Sequence, residues 1–160
     1  MYLLIPISIA LIFSAFFSGM EIAFVSSNKL KIEVDKNKDM LQAKVLSLFV
    51  RKQSYFIGAL LLGNNIALVV YGIYSARLLY NPLAGILPGG PGSEAVILIL
   101  QTIISTVVIL IFAEFLPKIL FRINPNKLLS FFAIPIYMMY VLIYPLILLF
   151  IGLSELLLRI

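Results

Sequence analysis

Ser14, Ser18 and Glu21 stand at i, i+4 and i+7 in an otherwise apolar run. That spacing puts two hydroxyls and a carboxylate on one face of a helix. Asn64 lies between Gly63 and Asn65 in a second apolar run, and Glu114 lies in a third, three residues before Pro117. A proline has no N–H, so the carbonyl of Ala113, four residues before Pro117, loses its helical donor. All of these groups are hard oxygen donors. The 160 residues contain no Cys and no His, which removes thiol chemistry, imidazole bases and soft metal sites. Two hydroxyls, an amide oxygen, a backbone carbonyl and a carboxylate make about five oxygen ligands, against the roughly six that Mg²⁺ takes in near-octahedral geometry. Na⁺ also takes oxygen ligands.

Each residue also has a structural reading. Serines in membrane helices often bond their own backbone or permit close packing. Gly63, together with Gly58 and Gly72, can allow two helices to approach, and Asn64 and Asn65 can bridge helices. Glu21 and Glu114 can pair with Lys29, Lys118 or Arg122 near the headgroups. Glu21, close to a basic helix end, fits pairing. Glu114 fits the ion role, because the Glu-x-x-Pro kink supplies a reason for its place.

These residues are positioned by a chain built for lipid. Hydrophobic residues make up 62% and charged residues 12%, where a soluble domain carries roughly 25% charged. Ten of the 19 charges lie between Lys29 and Lys52. The composition excludes a soluble enzyme, a nucleic-acid-binding domain and a disordered tail, and leaves an all-α integral membrane protein. Membrane helices are expected at residues 2–26, 54–80 and 95–117. Each reaches the roughly 30 Å of a hydrocarbon core at about 1.5 Å per residue. The charged segment 28–53 has Leu41, Val45, Leu48 and Phe49 at helical spacing, which suits an amphipathic helix on a membrane surface. A break is expected from Asn81-Pro82 through Gly92.

Charge also orients the chain. Segment 28–53 has seven Lys/Arg, 81–94 has none and 118–127 has three. Cytoplasmic loops carry the excess of Lys/Arg, so the first and third connections are inside and the N-terminus is outside. The final stretch, about 128–158, contains Pro135 and Pro145. By pattern alone it either spans or forms a hairpin of two short helices embedded from the cytoplasmic side.

At this point the motifs carry a resemblance. Phe17-Ser18-Gly19-Met20-Glu21-Ile22-Ala23-Phe24-Val25-Ser26 resembles the first-span signature of the CNNM/CorC transmembrane domain. Leu62-Gly63-Asn64-Asn65 resembles its second-span motif, and Ala113-Glu114-Phe115-Leu116-Pro117-Lys118, followed by Asn124-Pro125, its third. The three occur in the family's order over the whole chain. The resemblance implies a Mg²⁺ transporter of the cell membrane that exports Mg²⁺ in exchange for Na⁺, assembled as a homodimer in the lipid bilayer. It implies cytosolic CBS-pair and CorC-type domains downstream, so that residues 1–160 would be an isolated membrane domain. A cytosolic C-terminus then requires three spans and a Pro-broken juxtamembrane hairpin. Carried over by position, the ion site comprises Ser14, Ser18, Asn64 and Glu114 with the carbonyl of Ala113. Alanine at 113 stands where the family usually has glycine, and its methyl narrows the pocket.

Two other functions compete with transport. A regulatory module could bind Mg²⁺ at the same site without moving it. An intramembrane enzyme is disfavoured, since the chain has no His or Cys and one well-placed carboxylate.

Overall fold

A computed structural model describes residues 2–35, 41–87 and 92–158. Among them the regular structure is entirely helical. Helix α1 is Leu4–Ser26, α2 Lys29–Asp35, α3 Leu41–Arg51 and α4 Gln53–Ile86. The third long rod starts as α5, Ser93–Val108, widens into a π-helical segment, Ile109–Phe115, and returns to α-helix as α6, Leu116–Ile123. Helix α7 is Pro125–Leu158. The chain is a multi-pass membrane protein, and the expected all-α membrane architecture is what forms.

Helix α1 is the centre of the bundle. It packs along α4, against the π segment and α6, and against α7, while α5 packs on α4. Small residues bring the helices close. A Cβ built on Gly19 would sit 2.7 Å from the Phe121 ring, and one on Gly63 would sit 2.6 Å from the Phe17 ring. Gly58 and Gly72 have nothing within 4 Å, so the close approach expected of Gly58, Gly63 and Gly72 is realised inside the chain only at Gly63.

The charged segment folds back as two helices rather than one. Glu33 of α2 accepts from Ser47 Oγ at 3.1 Å and lies 3.4 Å from the Arg51 guanidinium. The face of α3 that packs inward is Leu46, Ser47 and Phe49. Leu41, expected on the apolar face, is exposed. Phe49 stacks on Phe56 with centroids 3.9 Å apart, and Phe56 meets Phe24 edge-on at 4.8 Å. Aromatic contacts thus tie α3 to the adjoining ends of α1 and α4.

Two expected boundaries move. Helix α4 does not break at Asn81-Pro82 but runs to Ile86, with Pro82 inside it. A proline so near a helix end removes a single bond, to the Leu78 carbonyl, and the remaining turn still forms. The Gly/Pro stretch 88–91 lies outside the described residues, and Gly92, at φ 101°, takes the left-handed conformation that opens α5. Nor is residue range 128–158 a broken hairpin: Pro135 and Pro145 sit inside one continuous helix. Each proline costs roughly 3 kcal/mol locally. Against that, Leu129, Ala133, Ile136, Tyr140 and Ile147 form one buried face of α7, and the van der Waals contacts of that face with its neighbours hold the helix together.

By length and composition α7 could cross a membrane. It packs against α1, α3 and α4. Near its start, Asn126 Oδ1 accepts from the Asn28 backbone N–H at 3.0 Å. Further on, the Tyr144 ring is 6.5 Å from that of Tyr55. Asn28 and Tyr55 flank the charged segment, at the same end of the α1–α4 pair. Between these two contacts the Phe132 ring meets Phe16, midway along α1, at 5.2 Å.

Candidate functional site

Ser14 and Ser18 face the centre of the bundle because the rest of that α1 face, Ile7, Ala10 and Phe17, is also buried there. Ser14 is fully buried, and its Oγ donates to Asn64 Oδ1 at 2.6 Å. Sequence positions 50 residues apart thus meet through the α1–α4 contact that Gly63 permits. Asn65, the next residue, is exposed. Its side chain leaves the interface because one residue is about 100° of helix.

Ser18 is 1% exposed, and its Oγ has no hydrogen-bond partner among the described residues. A buried hydroxyl without a partner costs about 1–3 kcal/mol. It normally bonds a helical carbonyl or awaits a group from outside. One turn along α1 from the Ser14–Asn64 pair, this oxygen is free to take a ligand.

Ala113 is fully buried, within the π segment that packs on α1. The Leu116 N–H bonds the Ile111 carbonyl, five residues back. In that register a donor at 117 would serve the Phe112 carbonyl, and in an α register that of Ala113. Pro117 serves neither. The sequence signal for an irregular backbone here was Pro117; that it takes the form of a π-helical widening beginning at Ile109 was not in the pattern. Such widenings recur at functional sites.

Glu114 points to a partner on its own rod. Its carboxylate lies 3.7 Å from Lys118 Nζ, with the side chain about one-third exposed. It has no bond to Ser14, Ser18 or Asn64 among the described residues. An open hollow of about 400 Å³, lined by Leu110, Ile111, Glu114, Phe115 and Lys118, lies beside it. Glu21 does not pair with Lys29. Lys29 Nζ instead donates to Gln53 Oε1 at 2.8 Å and sits 5.5 Å from the centroid of the Phe24 ring. Glu21 is half-buried and makes no ion pair among the described residues.

The structure therefore joins Ser14 to Asn64, sets an unpartnered Ser18 one turn away, and packs the Ala113 segment on the same helix. It does not bring the Glu114 carboxylate into that contact. Among the described residues no three Asp or Glu side chains converge. A cation here would be held chiefly by neutral oxygens, with at most one or two carboxylates. Phe17 escaped the sequence reading of the site.

Residues 6–160 match the family model described as the cyclin M transmembrane N-terminal domain, CNNM. The chain is 31% identical over 148 residues to the UPF0053 protein MG146 homolog of Mycoplasma pneumoniae, covering 89% of this chain and 33% of that protein. It is 28% identical over 149 residues to the UPF0053 inner membrane protein YfjD of Escherichia coli, covering 91% and 32%. It is 28% identical over 114 residues to UPF0053 protein MG146 of Mycoplasma genitalium, covering 71% and 25%. The chain spans about a third or less of the length of these relatives. With its motif residues gathered on α1, α4 and the π segment, and the match running over nearly the whole chain, the protein belongs to the cyclin M transmembrane-domain family.

Proposed function

We propose that this chain is the membrane domain of a Mg²⁺ transporter, driven by Na⁺ moving the opposite way and exporting Mg²⁺. The observation that carries the reading is the buried, unpartnered Ser18 hydroxyl beside the Ser14–Asn64 pair. Mg²⁺ would take the Ser14 and Ser18 hydroxyls, the Asn64 amide oxygen and a carbonyl of the Ala113 segment. Glu114 would join by exchanging Lys118 for the ion. The exchange is cheap, since an i,i+4 pair of this kind contributes only about 0.3–0.5 kcal/mol. Flux into liposomes, with and without an opposing Na⁺ gradient, tests the reading. Mg²⁺ movement accelerated by the gradient supports it. Saturable Mg²⁺ binding without flux points instead to a sensing module.

Ser18→Ala separates a ligand from a packing residue. Removing a hydroxyl that has no partner should leave the ion-free protein as stable or slightly more so, raising Tm by a degree or two at about 0.5 kcal/mol. The same change should weaken Mg²⁺ binding about tenfold. Calorimetry and thermal melting on one sample check both. A fall in Tm with unaltered Mg²⁺ affinity would make Ser18 structural.

In this reading α1, α4 and the α5–α6 rod cross the membrane with the N-terminus outside, and α7 lies across the cytoplasmic end. The chain works as a homodimer, with cytosolic CBS domains following in the full-length protein. The absence of native cysteine makes single-cysteine labelling clean. Glu94→Cys should react with an impermeant maleimide from outside, and Asn126→Cys only from inside. Gly72→Cys, on the open α4 surface, should give a disulfide-linked dimer. Reversed labelling, or a strictly monomeric product, rejects the corresponding part of this arrangement.

A further inference from the structure

Two to three turns along α4 from Asn64, on the side away from α2 and α3, a second set of polar side chains is buried. Tyr71, Ser75 and Gln101 are 3–5% exposed. Ser75 Oγ lies 3.0 Å from Ser105 Oγ, where either hydroxyl can donate, and 3.3 Å from the Gly72 carbonyl. Gln101 Nε2 donates to the Ala76 carbonyl at 2.9 Å. Tyr71 is buried one turn from Ser75 on the same face of α4.

Stability is a poor reason for this layer. Interhelical polar bonds inside a membrane average only about 0.6 kcal/mol, while each buried polar group carries a desolvation cost that an apolar side chain avoids. Its position is more telling. Asn64, Tyr71 and Ser75 stand at i, i+7 and i+11, on one face of α4. Tyr71 packs on Ile7 and Ala10 of α1, and Ala10 is one turn from Ser14. The layer therefore lies in line with the Ser14–Asn64 pair, nearer the far end of the bundle.

Its chemistry differs from that of the first site. It offers three hydroxyl oxygens and one amide, with no carboxylate. Because the Gln101 amide N–H is directed to Ala76, its carbonyl oxygen remains an acceptor. A dication in a low-dielectric site needs a counter-charge, which this layer lacks. A monovalent cation is held by neutral oxygen dipoles alone, as in filters built from carbonyl rings. We propose that Tyr71, Ser75, Gln101 and Ser105 form a second cation-binding layer that takes a small monovalent cation of the Na⁺ class. In this structure the layer is closed on itself by the Ser75–Ser105 bond. On binding, both hydroxyls turn their protons outward and their lone pairs to the ion. That this ion shares a path with Mg²⁺ rests on the reading of the Ser14–Asn64 site given above.

Binding of ²²Na⁺ to purified protein, in competition with choline and K⁺, tests the layer, with Mg²⁺ titrations in Na⁺-free buffer on the same samples. Wild-type protein should bind Na⁺ saturably. The S75A/S105A pair should raise the Na⁺ half-saturation concentration about tenfold or more and leave Mg²⁺ binding within about twofold. Unchanged Na⁺ binding in that variant, or none in the wild type, overturns the proposal. Gln101→Glu, which adds a charge at constant size, should tighten Na⁺ binding at pH 8. It decides the matter should the serine pair fail to fold, unchanged affinity being the overturning result. The Mg²⁺ titrations report separately on the first site: if Ser14 and Ser18 variants keep full Mg²⁺ affinity, that reading fails whatever Na⁺ does.

Discussion

Replacing Glu114 by alanine is expected to abolish Mg²⁺ transport. The ligands that Ser14, Ser18, Asn64 and the Ala113 segment can offer are all neutral, and dipoles alone hold a dication poorly in a low-dielectric site. Removing the charge should raise the Mg²⁺ Kd by at least about a hundredfold, some 2.7 kcal/mol, at the upper end for a lost charged partner. Glu114→Gln keeps the shape and one oxygen. If charge dominates it should match the alanine variant, and if geometry dominates it should keep part of the affinity. Lys118 now holds the carboxylate at 3.7 Å, so Lys118→Gln should strengthen Mg²⁺ binding modestly by removing the competitor. Glu21→Gln is the necessary comparison, because Glu21 is half-buried and free of an ion pair among the described residues, on the Ser14–Ser18 face of α1. Calorimetry and liposome flux on each folded, purified variant would settle the roles. A folded Glu114→Ala protein that transports normally, or an essential Glu21 beside a dispensable Glu114, sinks the assignment.

Gly63→Ala should cost about 3 kcal/mol, the upper end for an overpacked contact. The added methyl would stand 2.6 Å from a Phe17 ring that is itself buried, so either the ring turns or α1 and α4 separate. Asn64 is the next residue, and its 2.6 Å bond to Ser14 depends on the same approach. Loss of stability should therefore come with loss of Mg²⁺ affinity. The double variant Gly63→Ala with Phe17→Leu makes room for the methyl and should recover most of both. Gly72→Ala, where nothing lies within 4 Å, should change the protomer's stability by less than about 0.5 kcal/mol. Thermal melting beside Mg²⁺ titration distinguishes these outcomes. A Gly63→Ala protein as stable as wild type would mean that the α1–α4 spacing has slack.

Much of this was readable along the chain, for a physical reason. Solvent preference and helical periodicity are local. The apolar runs marked α1, α4 and the third rod, and the Lys/Arg-rich segment marked one amphipathic helix where α2 and α3 form. The absence of His and Cys restricted any site to oxygen chemistry, and the i, i+4 spacing of Ser14 and Ser18 placed both on one buried face. Other features depend on what packs against what. Whether Pro135 and Pro145 break a helix is decided by how much of α7 is buried, and the buried face from Leu129 to Ile147 outweighed them. Where α7 packs is decided by its partners, which include Asn28, Tyr55 and Phe16. The Ser14–Asn64 bond joins residues 50 positions apart and exists only in one register of α1 on α4. Glu114 had two possible partners in the sequence, a cation or a lysine one turn away, and the fold chose Lys118. Composition and spacing named the donors; the distances between helices decided which of them meet, because an oxygen can join a site only where packing brings it within reach of the others.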